Sequence, residues 1–185
     1  MSKINLSKIM GKKHQGFTAI ELMFALGVIA LGTVALVLVS KNNTNKQNSN
    51  IMVSDVSSMV QNIQSAFASN SDGFSNLSNT TAISMNLVPN DLTVNGSTIK
   101  SKFQSGTVVI AVGGNNDNFT ITYNNVPAAV CNSVITTLGG SAFSDITINS
   151  TSVYNTTEQK QLDATAVGTA CQANKDQETI VFTAS

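Results

Sequence analysis

Residues 17–39 (FTAIELMFALGVIALGTVALVLV) form one apolar run, and Glu21 is the only charge in it. At about 1.5 Å per residue in a helix, the run covers the roughly 30 Å hydrocarbon core of a bilayer. Lys3, Lys8, Lys12, Lys13 and His14 precede it and Lys41 follows it. By the positive-inside rule the leader faces the cytoplasm and the remainder is exported. A secretory signal peptide has the same basic-then-apolar order, but its apolar region spans about 7–15 residues and ends in a small-x-small cleavage site. Here the run is longer and is followed by Ser40-Lys41-Asn42-Asn43. It therefore predicts a membrane helix. A carboxylate at a bilayer centre costs roughly 2.5–3.5 kcal/mol, less near the interface. Glu21 needs either a partner or a route for its carboxylate to the headgroups.

A chain of 185 residues has room for one domain plus such an anchor. Charged residues make up 11% and aromatics 5%, Trp is absent, and Ser, Thr and Asn crowd the region after residue 40. A polar but weakly charged surface lacks the clustered Lys and Arg that grip phosphate. Without residues 1–16, six lysines face ten acids, a net charge of −4, which argues against nucleic acid as a partner. His14 is the only histidine and lies in the leader. The remainder has no imidazole for a Ser-His-Asp or Cys-His arrangement or for a histidine metal site. Asp72, Asp91, Asp117, Asp145, Asp163 and Asp176 fall into no catalytic motif and are read as turn formers and surface groups. Gly113-Gly114 lacks the strand-to-helix context of a phosphate loop, and no EF-hand spacing supports calcium. The expectation is a protein that is not an enzyme and has neither cofactor nor metal.

Gly16-Phe17-Thr18-Ala19-Ile20-Glu21-Leu22 resembles the prepilin processing motif of type IV pilins and their relatives, in which a basic leader ends in Gly and the hydrophobic helix carries Glu five places in. The resemblance implies that a membrane prepilin peptidase cuts after Gly16 and methylates the new amino group of Phe17. That amine would be a positive charge in apolar surroundings, with Glu21 one helical turn away on the same face. In a bundle of such helices the amine of one subunit can pair with Glu21 of its neighbour, so that each neutralises a charge costly to bury. The pairing would fix axial register. Gly27 and Gly32 interrupt the same helix without GxxxG spacing, and would let helices approach or loosen locally.

Met52, Val56, Met59, Val60, Ile63 and Phe67 recur at spacings of three and four, opposite Asp55, Ser58, Gln61, Asn62 and Ser65. This predicts an amphipathic helix over 40–69 that continues from the run 17–39. Its weak point is Asn42 to Asn50, rich in a residue that favours caps and turns, and Asn70-Ser71-Asp72-Gly73 supplies the stop. Phe74 to Gln104 is expected to be a long surface-covering connection with one helical turn in Ala82 to Leu87. Thr107 to Val112 and Asn118 to Tyr123 flank a Gly-Asn-Asp turn as a hairpin. Pro127 and Gly139 bracket a helix. Strands follow at Asp145 to Asn149 and Glu178 to Thr183, with a helical stretch from about Glu158 carrying Cys171 near its end. Cys131 and Cys171, the only cysteines, predict a disulfide in an oxidising compartment; two buried free thiols are the alternative.

The element order resembles the pilin fold, an α+β architecture in which a long N-terminal helix packs on an antiparallel sheet and the C-terminal region is bounded by a disulfide. Phe119-Thr120-Ile121-Thr122-Tyr123 followed by Pro127-Ala128-Ala129-Val130-Cys131, with a second Cys before a final strand, is similar to the toxin-coregulated and bundle-forming pilins of the type IVb branch. Phe17 and the short leader depart from that branch. The resemblance implies a cleaved leader (1–16), an assembly helix (17–39), an amphipathic helix (40–69) and a head (70–185) with the disulfide-bounded region 131–171. It further implies the major subunit of an extracellular type IV pilus, a homo-oligomeric helical filament serving adhesion, aggregation or colonisation. Its partners would be prepilin peptidase and the inner-membrane assembly machinery. A minor pilin or a type II secretion pseudopilin is the alternative.

Overall fold

The computed structural model describes residues 19–140, 142–174 and 177–185, with side chains from residue 43 onward apart from Asn115. The chain divides into two compact units, Met1–Lys41 and Asn42–Ser185. Helix α1 spans Ala19–Phe67, so the Asn-rich stretch is helical throughout. Among the described residues no helix is long and apolar enough to cross a membrane; the side chains of the run 17–39 lie outside them.

In the second unit, α1 presents Met52, Val56, Met59, Val60 and Ile63 to the core, as their spacing predicts. Asp55 does not follow the prediction. It is 3% exposed rather than on the solvent face. The reason is positional: Asp55 lies three residues after Met52 and four before Met59, a spacing that places it on their face of the helix. After Phe67 the chain turns sharply. Phe74 stacks between Phe67 (5.7 Å) and Phe119 (4.7 Å), and its N–H donates to the Asn116 carbonyl at 2.8 Å. Gly73 has φ +61°, and a Cβ there would stand 2.2 Å from the Asn116 carbonyl oxygen, so the turn requires glycine.

Residues 74–104 depart from the expected surface connection. Helix α2 (Asn79–Ser84) is capped by the Ser78 hydroxyl, and β1 (Thr93–Asn95) and β2 (Thr98–Lys100) form a hairpin around Gly96, φ +61°. Phe74, Leu77, Ala82, Leu87, Val88, Leu92, Ile99 and Phe103 are buried, which makes this segment one wall of the core. The Asn79 side chain ties it to the sheet, accepting from the Ile110 N–H at 2.6 Å and donating to the Val108 and Ser97 carbonyls.

Strands β3 (Thr107–Val112) and β4 (Phe119–Val126) pair antiparallel with Val112 opposite Phe119, the hairpin expected from their β-branched runs. Helix α3 (Ala128–Leu138) starts after Pro127 and ends at Gly139, φ +55°. Strand β5 (Asp145–Ile148) turns through Asn149 and Ser150, both at positive φ, into β6 (Thr151–Asn155), a strand absent from the sequence reading. Two successive positive φ values are the requirement of a tight two-residue hairpin. Helix α4 (Ala164–Ala170) begins later than the expected Glu158, because the Asp163 carboxylate caps it by accepting from the Thr165 and Ala166 N–H groups. Strand β7 (Glu178–Ala184) completes an antiparallel sheet of order β1-β2-β3-β4-β7-β5-β6. Ile99, Val108, Tyr123, Ile180 and Ile148 form one buried row across five strands.

Candidate assembly segment and head surface

Of the residues singled out for assembly, Gly16 and Phe17 lie outside the described residues. Glu21 falls on the backbone of α1, and its side chain lies outside them too. The cysteines are brought together as predicted. Cys131, in the first turns of α3, and Cys171, at the end of α4, form a disulfide with a Cα–Cα distance of 5.7 Å. Both are buried, as are Val130, Val134, Ile135 and Val167 of the same two helices. The bond therefore cross-links two helices that already share a core.

A polar clamp that sequence reasoning missed holds the ends of this region. The Asn149 side chain accepts from the Thr179 N–H at 2.9 Å and donates to the Ala170 carbonyl at 3.2 Å and to the Glu178 carboxylate. The other oxygen of Glu178 accepts from the Asn174 N–H at 3.2 Å. Fully buried Glu178 thus divides its carboxylate between two turns, accepting from Asn149 between β5 and β6 and from Asn174 between Cys171 and β7. The signal was present in Asn149-Ser150, a turn pair between two β-branched runs. Three of the six predicted surface acids serve locally: Asp163 caps α4, Asp145 accepts from Ser152 and Asn155, and Asp91 pairs with Lys102 at 3.6 Å. Asp176 lies outside the described residues.

A second missed feature is a narrow cleft between α1 and the sheet, about 10 Å³ as room for the centre of a water molecule. Asp55 of α1 and Tyr123 of β4 line it beneath Leu92 and Phe103. The Tyr123 hydroxyl is buried and has no hydrogen-bond partner among the described residues. Burial, and then the neighbouring Asp91, raise the Asp55 carboxyl to about 6, against the opposing pull of Lys102. Burial, and then the Asp55 charge, push the Tyr123 phenol well above its ordinary value, so it stays protonated.

A family model described as PilS N terminal matches residues 46–185, which take in the second part of α1, the whole sheet and both cysteines. The chain belongs to the PilS N-terminal family. It is a pilin-like, pilus-related protein. No curated protein matches it. The residues matched to the PilS N-terminal family take in Asp55, Tyr123, Cys131, Cys171 and Glu178, whereas Gly16, Phe17 and Glu21 precede them.

Proposed function

We propose that the chain is the major structural subunit of an extracellular type IV pilus of the type IVb branch. It waits in the bacterial inner membrane, loses residues 1–16 to prepilin peptidase, and polymerises helix against helix through 17–39. It is not an enzyme and needs no cofactor. The observation that carries this reading is the junction of a PilS N-terminal head with an upstream apolar run holding one carboxylate. Burial of the run against neighbouring copies removes apolar surface from water or lipid, and Glu21 meets the new Phe17 amine of an adjacent subunit. Each ion offsets the other's desolvation, so the unpaired state is the unfavourable one. The head, with its few charges and its Ser, Thr and Asn surface, faces outward and serves adhesion, aggregation or colonisation.

Electron microscopy of sheared surface material, with mass spectrometry of its main band, tests the reading. The expected result is filaments whose principal component begins at N-methylated Phe17. Filaments that contain the chain only in trace amounts favour a minor pilin, and a chain confined to a secretion apparatus favours a pseudopilin. Glu21→Ala should be processed normally yet assemble into few or no filaments. Full piliation by that variant would defeat the register argument.

A further inference from the structure

The cleft at Asp55 lies at the base of the β1–β2 hairpin, since Leu92 precedes β1 and Ser101, Lys102 and Phe103 follow β2. Beyond the buried Ile99 and the bond from Asn79 to the Ser97 carbonyl, the hairpin is lightly attached. All three residues of β1 are exposed, and β2 meets β3 through only two residue pairs, Ile99 with Val108 and Lys100 with Thr107. We propose that Asp55 is a proton-operated latch, holding the base of the β1–β2 hairpin against α1 when it is neutral and loosening it when it is ionised.

A neutral carboxyl can stay beneath Leu92 and Phe103 with little penalty. A carboxylate there needs compensation. Tyr123, the group on the sheet side able to donate to it, makes no hydrogen bond in the closed cleft. The space admits about one water, short of what an ionised carboxylate requires. Fuller hydration means lifting Leu92 or Phe103, and both flank the hairpin. The groups facing Asp55 are Asn48 on its own helix, Tyr123 on β4, Asp91 before β1, and Ser101 and Lys102 after β2. Of these, Asp91 opposes ionisation and Lys102 favours it. Those two charges also pair with each other across the base of the hairpin, so they move with the part they regulate.

Hydrogen exchange of the full-length chain in detergent micelles, corrected for intrinsic exchange rates, tests the latch. With a midpoint near 6 when closed and 3.8 when open, protection of peptides within 92–103 should fall about tenfold between pH 5 and pH 7.5. Strand β4 should hold steady, and Asp55→Asn should abolish the fall. No fall in the wild type, or an equal fall in Asp55→Asn, overturns the proposal. If Asp55→Asn does not fold, the carbon-13 shift of the Asp55 carboxyl in the wild-type chain decides. A midpoint near 6, raised by Lys102→Met and lowered by Asp91→Asn, supports the latch; a midpoint near 4 overturns it.

Discussion

Asp55 makes the stability of the head depend on pH with a definite sign. Its native value of about 6 exceeds the unfolded 3.8, so the native state holds the proton more tightly. Ionisation therefore works against folding. The loss begins as pH rises above 3.8 and is complete above about 6, and it reaches at most about 3 kcal/mol. Asp55→Asn should flatten this part of the pH–stability curve and leave the variant more stable than wild type at pH 7.5, measured by urea denaturation. A variant less stable at that pH would mean that the carboxylate has a partner in solution. Gly73 works through the backbone instead. Gly73→Ala combines a left-handed residue with a contact of 2.2 Å to the Asn116 carbonyl, and should cost about 2 kcal/mol or more. A loss below about 0.5 kcal/mol would show that the turn can relax.

The elements differ in how plainly they are written in the chain. Helices α1 and α3 carry apolar residues at spacings of three and four with recognisable ends, and both form where expected. The β3–β4 hairpin likewise follows from two β-branched runs around a glycine turn. What was missed lies in short elements whose stability is tertiary. Strands β1 and β2 have three residues each, too few for a period, although Asn95-Gly96 is a strong turn pair. Strand β6 depends on the same kind of signal at Asn149-Ser150, and α4 starts later than its composition suggests because Asp163 is a cap and not a surface acid. The disulfide was legible from cysteine parity, while the helices it joins required the fold. In the chain-entropy model it contributes roughly 4 kcal/mol. The Cys131→Ser, Cys171→Ser pair should lower the thermal midpoint and first expose α3 and α4 to proteolysis. An unchanged midpoint would mean the shared core suffices.

For the whole molecule, the two halves of the functional reading rest on different kinds of information. The assembly motif at Gly16, Phe17 and Glu21 is read from sequence alone, through charge in an apolar run and its resemblance to a processing site. Membership of the PilS N-terminal family rests on the head that follows, residues 46–185. The cleft at Asp55 lies within that head, yet neither the motif nor the family match points to it. A helix pattern shows which side chains share a face but not that a tyrosine from β4 will close over one of them.

Strand β7 has a further consequence for how the head is made. It lies between β4 and β5, so among the described residues β1–β4 and the β5–β6 pair have no strand pairing except through it. Its neighbour Ser185 also accepts a hydrogen bond from Gln64 of α1 at 2.7 Å. As the chain is synthesised, both partial sheets have a bare edge until β7 follows, because the strand that joins them comes after both. The head closes as a zip fastener does when its slider arrives last, and a chain stalled short of residue 178 is left with two open edges that other chains can pair with.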